Sequence, residues 1–520
     1  MTDPRLTDRR RLLQLAVAGA AAGWMPRAAW AQPRIVDNPF VLGVASGSPD
    51  ATSVVLWTRL VAPGLDRAAT VQWEVAHDER FQRIVRRGQA EAMPELAHSV
   101  HVEADGLEAD RWYFYRFMTG PWVSSVGRTR TLPAPDAMVR RLRLAYASCN
   151  RWEHGWFGAY RHMRAEQPDL VLFLGDYIYE YAQAANAVRP TDGVRTRTLQ
   201  QYRDRHALHK GDADLQAMHQ ACPWICTWDD HEVYNDHSGG LADDSRRGAA
   251  FIARRAAAYQ AYYEHMPLRA AVLVRALAGV QQGGEMRLHG EHRFGRLAQL
   301  CVLDARQYKD LQACTPDGKA GSGTVDPATC PQWNDPRRSL LGPAQEQWLD
   351  GRLAQAGATW TVLGQQTLFG QRDLRPGPGQ AFWNDGWDGY PQARRRLQAA
   401  LRKHAPANPV LLGGDVHENW VGHVLADYGR PDSAVLGVEF CGTSITSRPG
   451  RGRNEAQRLA ENPHFIHGDA SQRGYGIADF GPRQLEVALR VVDDVTQRDT
   501  GVATQARFVV EAGRARVERA

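Results

Sequence analysis

Apolar positions follow three regimes along this chain. Between residues 32 and 134 they come in short alternating or aromatic runs: Val54-Val55-Leu56-Trp57-Thr58-Arg59, Thr70-Val71-Gln72-Trp73-Glu74-Val75, Ser99-Val100-His101-Val102 and Trp112-Tyr113-Phe114-Tyr115-Arg116-Phe117. Turn residues separate them at intervals typical of a small all-β sandwich. After the linker Thr131-Leu132-Pro133-Ala134-Pro135-Asp136, strands alternate with helices, which the pattern predicts at 160–166, 246–265, 342–353 and 390–404. The tail returns to period two in Gln484-Leu485-Glu486-Val487-Ala488-Leu489-Arg490-Val491-Val492 and Ala506-Arg507-Phe508-Val509-Val510-Glu511, as antiparallel strands do. The expected organisation is a leader at 1–31, a β-sandwich domain at 32–135 and an α/β domain at 136–520.

Within the α/β part, four apolar runs stop at polar residues of a particular kind. Leu170-Val171-Leu172-Phe173-Leu174 is long enough for a strand buried on both faces, and Gly175 then turns the backbone and delivers Asp176. Leu142-Arg143-Leu144-Ala145-Tyr146-Ala147-Ser148 ends at Cys149-Asn150, Trp224-Ile225-Cys226-Thr227-Trp228 at Asp229-Asp230-His231-Glu232, and Pro409-Val410-Leu411-Leu412-Gly413-Gly414 at Asp415-Val416-His417. Ligands of open α/β sheets bind at the carboxyl ends of strands. One such ending is common by chance; four in one chain point to a polynuclear metal site.

Charge and leader sequence narrow the setting. Asp8-Arg9-Arg10-Arg11-Leu12-Leu13 is a twin-arginine pattern ahead of a weakly apolar stretch, and Ala29-Trp30-Ala31 supplies a cleavage site before Gln32. The apolar stretch is short for a membrane span, so a cleaved leader is expected, with export through the twin-arginine translocon to the periplasm or the extracellular space. The formal charge is +5, and residues 1–31 carry five arginines and two acidic residues, leaving the rest near +2. That balance argues against a nucleic-acid-binding surface. There are seven cysteines. Cys314 and Cys330 flank a Gly/Pro/Asp-rich loop and are the expected disulfide; Cys222, Cys226, Cys301 and Cys441 read as packed core thiols. Cys149 ends a strand beside Asn150 and is assigned to chemistry instead.

The residue types at these strand ends suit metal-assisted phosphoryl transfer, which needs anionic ligands holding two or more cations, a shared carboxylate and a metal-bound hydroxide facing phosphorus. Asp176 is the candidate bridge, with Cys149 as thiolate and Tyr179 as phenolate on one metal. Asp230, Asp415 and His417 complete the set, with Asn235 a weaker member, and His231 is placed to protonate the leaving oxygen or bind the phosphate. Trp383-Asn384-Asp385-Gly386-Trp387 reads equally as a rim loop or as a packed turn.

Cys149-Asn150, Gly175-Asp176-Tyr177-Ile178-Tyr179, Trp228-Asp229-Asp230-His231-Glu232-Val233-Tyr234-Asn235 and Gly413-Gly414-Asp415-Val416-His417 together resemble the motifs of PhoD-type alkaline phosphatases. The likeness extends to Leu42-Gly43-Val44-Ala45-Ser46-Gly47-Ser48-Pro49, Asp304-Ala305-Arg306-Gln307-Tyr308, Trp387-Asp388-Gly389-Tyr390-Pro391 and Gly442-Thr443-Ser444-Ile445-Thr446-Ser447. It departs at Ser48, where an acidic residue is usual, and at His206-Ala207-Leu208-His209-Lys210, a degenerate copy of a Tyr/Arg-rich stretch. The resemblance implies a metallophosphoesterase core, two mixed β-sheets flanked by helices, and hydrolysis of phosphomonoesters and phosphodiesters. It implies one ferric iron (Fe3+) on Cys149, Asp176 and Tyr179, and calcium (Ca2+) held by Asp176, Asp230, Asn235 and Asp415 with His417 near. A monomer is expected. The rival readings are a phospholipase-D-like or nucleotide phosphodiesterase on the same scaffold, and a non-catalytic surface protein that binds phosphate or calcium.

Overall fold

A computed structural model describes residues 33, 35–182, 185–239, 249–273, 285–315, 319–450 and 455–520. The expected leader at 1–31 lies outside them. The described residues form two compact units, one drawn from within Met1–Leu132, Arg197–Ile225 and Arg254–Arg287, the other from within Pro133–Thr196, Cys226–Ala253 and Leu288–Ala520.

In the first unit Ser99–Ala104, Val54–Arg59 and Val44–Gly47 pair antiparallel, and Gly47 stands opposite Trp224 in a parallel pair. A second sheet has the order Ile84–Ala92, Ala69–Ala76, Trp112–Thr119, Trp122–Val123, with Gly127–Arg130 also on Trp112–Thr119. Side chains alternate along Trp112–Thr119, so Tyr113, Tyr115 and Phe117 turn inward and meet Val54, Leu56, Val71 and Val102 in one core. This is the sandwich that the alternating runs predict. The unit also holds the helices Leu199–Lys210 and Ala213–Ala221 and the larger part of Ala249–His265. Sequence patterning found only the last of these, because Arg205, His206, His209 and Lys210 are buried where an apolar stripe would be expected. The start of Leu199–Lys210 carries a local signal nonetheless: Thr198 and Gln201 form a reciprocal capping box.

The second unit holds two mixed sheets. One runs Val517–Arg519, Val502–Glu511, Gln484–Val492, Arg473–Phe480, Leu142–Ala147, Leu170–Phe173, antiparallel except for the last pair. The other runs Gly290–Phe294, Ala298–Val302, Trp360–Gly364, Pro409–Gly413, Val435–Cys441, Asn419–Leu425, Phe465–Asp469, with a parallel centre and antiparallel edges. The central strands are buried on both faces, as their unbroken apolar runs require. The two sheets approach closely: a side chain at Gly364 would bring its Cβ within 2.8 Å of Leu172 Cδ2. Helices Pro343–Ala354 and Pro391–His404 cover the second sheet, packing Leu349, Leu353, Leu397 and Leu401 against Leu363 and Leu411. Cys314 and Cys330 form the expected disulfide. Among the described residues no helix is long and apolar enough to cross a membrane.

Candidate metal centre

The site is built where the apolar runs stop. Cys149 follows Leu142–Ala147, Asp176 follows Leu170–Phe173, and Asp415 and His417 follow Pro409–Gly413. All four residues have left-handed backbone, with φ of 61°, 58°, 66° and 58°. Side chains disfavour that conformation, so four instances at strand ends are strain concentrated at one place, as functional sites show. Two glycines make the approach possible. Gly175 has φ 113°, and a Cβ there would lie 2.4 Å from the Asp229 amide; at Gly414 it would meet Ser148 Oγ at 2.3 Å. Glu232 ties the loops together by accepting from the Tyr177 amide at 2.6 Å and from the Asp229 amide at 2.9 Å.

The strand ends bring their ligand atoms into overlapping groups. Cys149, Asp176 and His417 form one, Asp176, Asp230 and His231 a second, and Asp176, Asp229 and Asp415 a third, with the atoms of each group within 4.8 Å of one another. Asp176 belongs to all three, the position that a bridging carboxylate must occupy. The Tyr179 hydroxyl joins the first group, donating to Asp176 Oδ2 at 2.8 Å, with His417 Nε2 at 3.3 Å and Ser447 Oγ at 2.6 Å. His417 Nδ1 donates to the Arg448 carbonyl at 2.9 Å, which leaves Nε2 unprotonated and directed inward. Asn235 is less central: its amide nitrogen donates to Asp236 Oδ2 at 2.7 Å and its backbone to Glu180 Oε1 at 3.1 Å. Asp230, Asp236 and Asp385 make a further carboxylate group.

Electrostatically the site is a concentration of buried acid. Burial, with Asp176 and Asp415 nearby, pushes the Cys149 thiol up, and burial with Asp176 pushes the Tyr179 phenol up. Burial also raises Asp176 and Asp415, and takes Asp229 up to about 6. Asp229 Oδ2, Asp230 Oδ1 and Asp415 Oδ2 are buried and accept no hydrogen bond. Deeply buried carboxylate oxygens without donors, beside a thiol and a phenol that burial keeps protonated, fit a set of cations. His231 Nδ1 donates to Glu180 Oε2 at 2.7 Å, and its ring lies 4.1 Å from that of Tyr179. Burial opposes its charging, but Asp230, Asp176 and Glu180 outweigh that and raise it. His417 is held neutral down to about 3 by burial and Arg473.

Sequence reasoning missed the countercharge. The buried Arg306 guanidinium bonds Asp229 and Asp385, and its Nη2 lies 3.8 Å from Asp230 Oδ2 and 3.7 Å from Asp415 Oδ2. Lys309 pairs with Asp385 as well. Of the two readings left open for 383–387, the packed turn is the observed one: Asn384, Asp385 and Trp387 are buried, and Asp385 faces the arginine. The signal for Arg306 was present in the Asp304-Ala305-Arg306-Gln307-Tyr308 run, although nothing in its spacing announced a partner.

The profile of the PhoD-like phosphatase family matches residues 144–489, and that of the PhoD-like phosphatase N-terminal domain matches residues 26–133. The chain is 44% identical over 497 residues to alkaline phosphatase D of Bacillus subtilis (strain 168), covering 92% of this chain and 82% of that protein. A solved structure described as that of PhoD superposes with a TM-score of 0.86 at 43% identity, over 94% of this chain and 93% of its own.

Proposed function

The chain belongs to the PhoD-like phosphatase family and is a phosphatase, and on that premise we propose an exported, metal-dependent alkaline phosphatase acting on phosphomonoesters and phosphodiesters. The observation that carries the metal dependence is the orphaned oxygens of Asp229, Asp230 and Asp415 beside Cys149, Asp176, Tyr179 and His417. We assign ferric iron to Cys149, Asp176 and Tyr179, a thiol and a phenol being donors that a strongly Lewis-acidic ion can deprotonate. Calcium falls to the hard oxygens of Asp176, Asp230 and Asp415, with the Asn235 carbonyl oxygen, the atom that its amide bond to Asp236 leaves over. Bound cations would supply the Lewis acidity that activates water and offsets phosphoryl charge.

The chain's own residues do the rest. Glu180 holds His231 by Nδ1, so in its charged, doubly protonated form Nε2 would carry the proton that the leaving oxygen takes. The carboxylates around His231 raise it above its ordinary value. The domain division at 32–135 and 136–520 is supported by the two family profiles. Export through the twin-arginine translocon rests on Arg9-Arg10-Arg11, and a monomeric state belongs to the same proposal.

Asp176→Asn tests the site. Removing one charge from a shared ligand should cost several orders of magnitude in turnover of p-nitrophenyl phosphate and of its bis ester, with metal content falling in parallel. Near-normal turnover and metal content in that variant would overturn the assignment.

A further inference from the structure

We propose that Arg151 is a second anchor for the phosphate oxyanion, of substrate and of inorganic phosphate alike. This deepens the site reading above and rests on it. Arg151 lies two residues beyond Cys149, and its carbonyl accepts from Thr446 Oγ1 at 2.7 Å. The next residue along, Ser447, donates to the Cys149 carbonyl at 2.9 Å and contacts the Tyr179 hydroxyl. Arg151 is thereby tied on both sides to the residues of the proposed iron site.

Its side chain is 6% exposed, and its guanidinium sits 4.4 Å from the Tyr181 ring centroid and 5.1 Å from that of Tyr179. Those two rings flank His231, at 5.3 and 4.1 Å. Arginine, both tyrosines and the proposed proton donor are thus one continuous wall. Nη1 donates to the Tyr181 hydroxyl at 3.1 Å. Nε forms a buried ion pair with Glu153 Oε2 at 3.5 Å, yet neither Nε nor Nη2 makes a hydrogen bond.

Glu153 balances the charge, but two buried donors without acceptors are costly until a further oxygen completes them. The ring faces fix its plane, so the fork is preorganised and little entropy is lost when it binds. A phosphate oxyanion has the charge and the paired oxygens that such a fork recognises. A monoester presents three terminal oxygens and up to two charges, whereas a diester presents two oxygens and one charge. Arg151 should therefore favour the monoester.

The test compares Arg151→Gln and Arg151→Lys with the unaltered holoenzyme, using p-nitrophenyl phosphate, bis-p-nitrophenyl phosphate and inhibition by inorganic phosphate. In Arg151→Gln, kcat/KM for the monoester should fall on the order of 100-fold, the diester should lose about tenfold, and the phosphate inhibition constant should rise about tenfold or more. Metal content should stay as it was, while the melting temperature falls because Glu153 loses its buried partner. Arg151→Lys keeps the charge without the fork and should lie between, so it decides the matter if the glutamine variant folds poorly. Unchanged phosphate inhibition, or equal losses on both esters that track lost metal, would overturn the proposal while leaving the Asp176→Asn test untouched.

Discussion

Arg306 is the cation that faces four of the site's carboxylates, and its position sets what its removal should do. Its guanidinium is 3% exposed and lies against Asp229 and Asp385, with Asp230 and Asp415 just beyond. Burial works against its charge, yet the four carboxylates raise it further. Taking away one partner of a buried ion cluster strands the others and costs about 3–5 kcal/mol. Arg306→Gln is therefore expected to lower the chemical-denaturation midpoint sharply and to abolish turnover, while Arg306→Lys retains part of both. A glutamine variant with the midpoint of the parent would contradict this. At this scale the sequence was informative where a residue ended an apolar run. Cys149, Asp176, Asp230, Asp415 and His417 are all recognisable in that way, and the structure brings them together. Arg306, Lys309 and Asp385 sit in irregular segments, and Glu180 in a bend, so only tertiary contacts reveal what they do.

The strand that carries Cys149 is clamped by an ion pair at directly opposed positions. Arg143 stands across from Asp479 in the antiparallel pair of Leu142–Ala147 and Arg473–Phe480. Its Nε and Nη2 donate to the Asp479 oxygens at 3.0 and 2.6 Å, and Arg141 adds a further contact at 2.9 Å. Burial alone would raise Asp479, but the bonds and charges of the two arginines hold it below the usual carboxylate value. A depressed folded value stabilises at pH above the unfolded value of about 3.9 and is lost as pH falls through the folded one. Because the pair is partly solvated, Asp479→Asn should cost only about 1 kcal/mol at neutral pH. Its denaturation midpoint should then converge on the parent's as pH drops below about 4; a gap that stays constant well below that pH would refute the clamp. Elements show the same limit of legibility. Strands with two-fold alternation or unbroken apolar runs were readable. The Leu199–Lys210 helix was not, since Arg203 meets Glu264 only in the fold and Arg205 and His209 are buried in place of an apolar stripe.

Across the whole chain, a free thiol at Cys149 needs an explanation. The oxidising destination expected of an exported chain pairs or oxidises accessible cysteines, and here Cys314 and Cys330 are paired. Cys149 is buried but lies among carboxylates, not in an apolar core, and those carboxylates make a bare thiolate unfavourable. Coordination to a cation resolves both facts, and the same holds for the Tyr179 phenol. Calcium is too weak a Lewis acid for a phenol whose ordinary value is about 10. A ferric ion accepts both donors, and the oxygen-rich side around Asp230 and Asp415 suits calcium. The two kinds of ion should then leave at different rates. Mild chelation should stop turnover while about one iron per chain stays bound, together with a visible thiolate- and phenolate-to-iron absorption. Added calcium alone should restore turnover. Tyr179→Phe should shift the absorption, and Cys149→Ser should lower iron content and turnover together. If zinc or magnesium restores the chelated enzyme and calcium does not, or if a colourless preparation without iron is fully active, the assignment of these donors to iron and calcium is wrong.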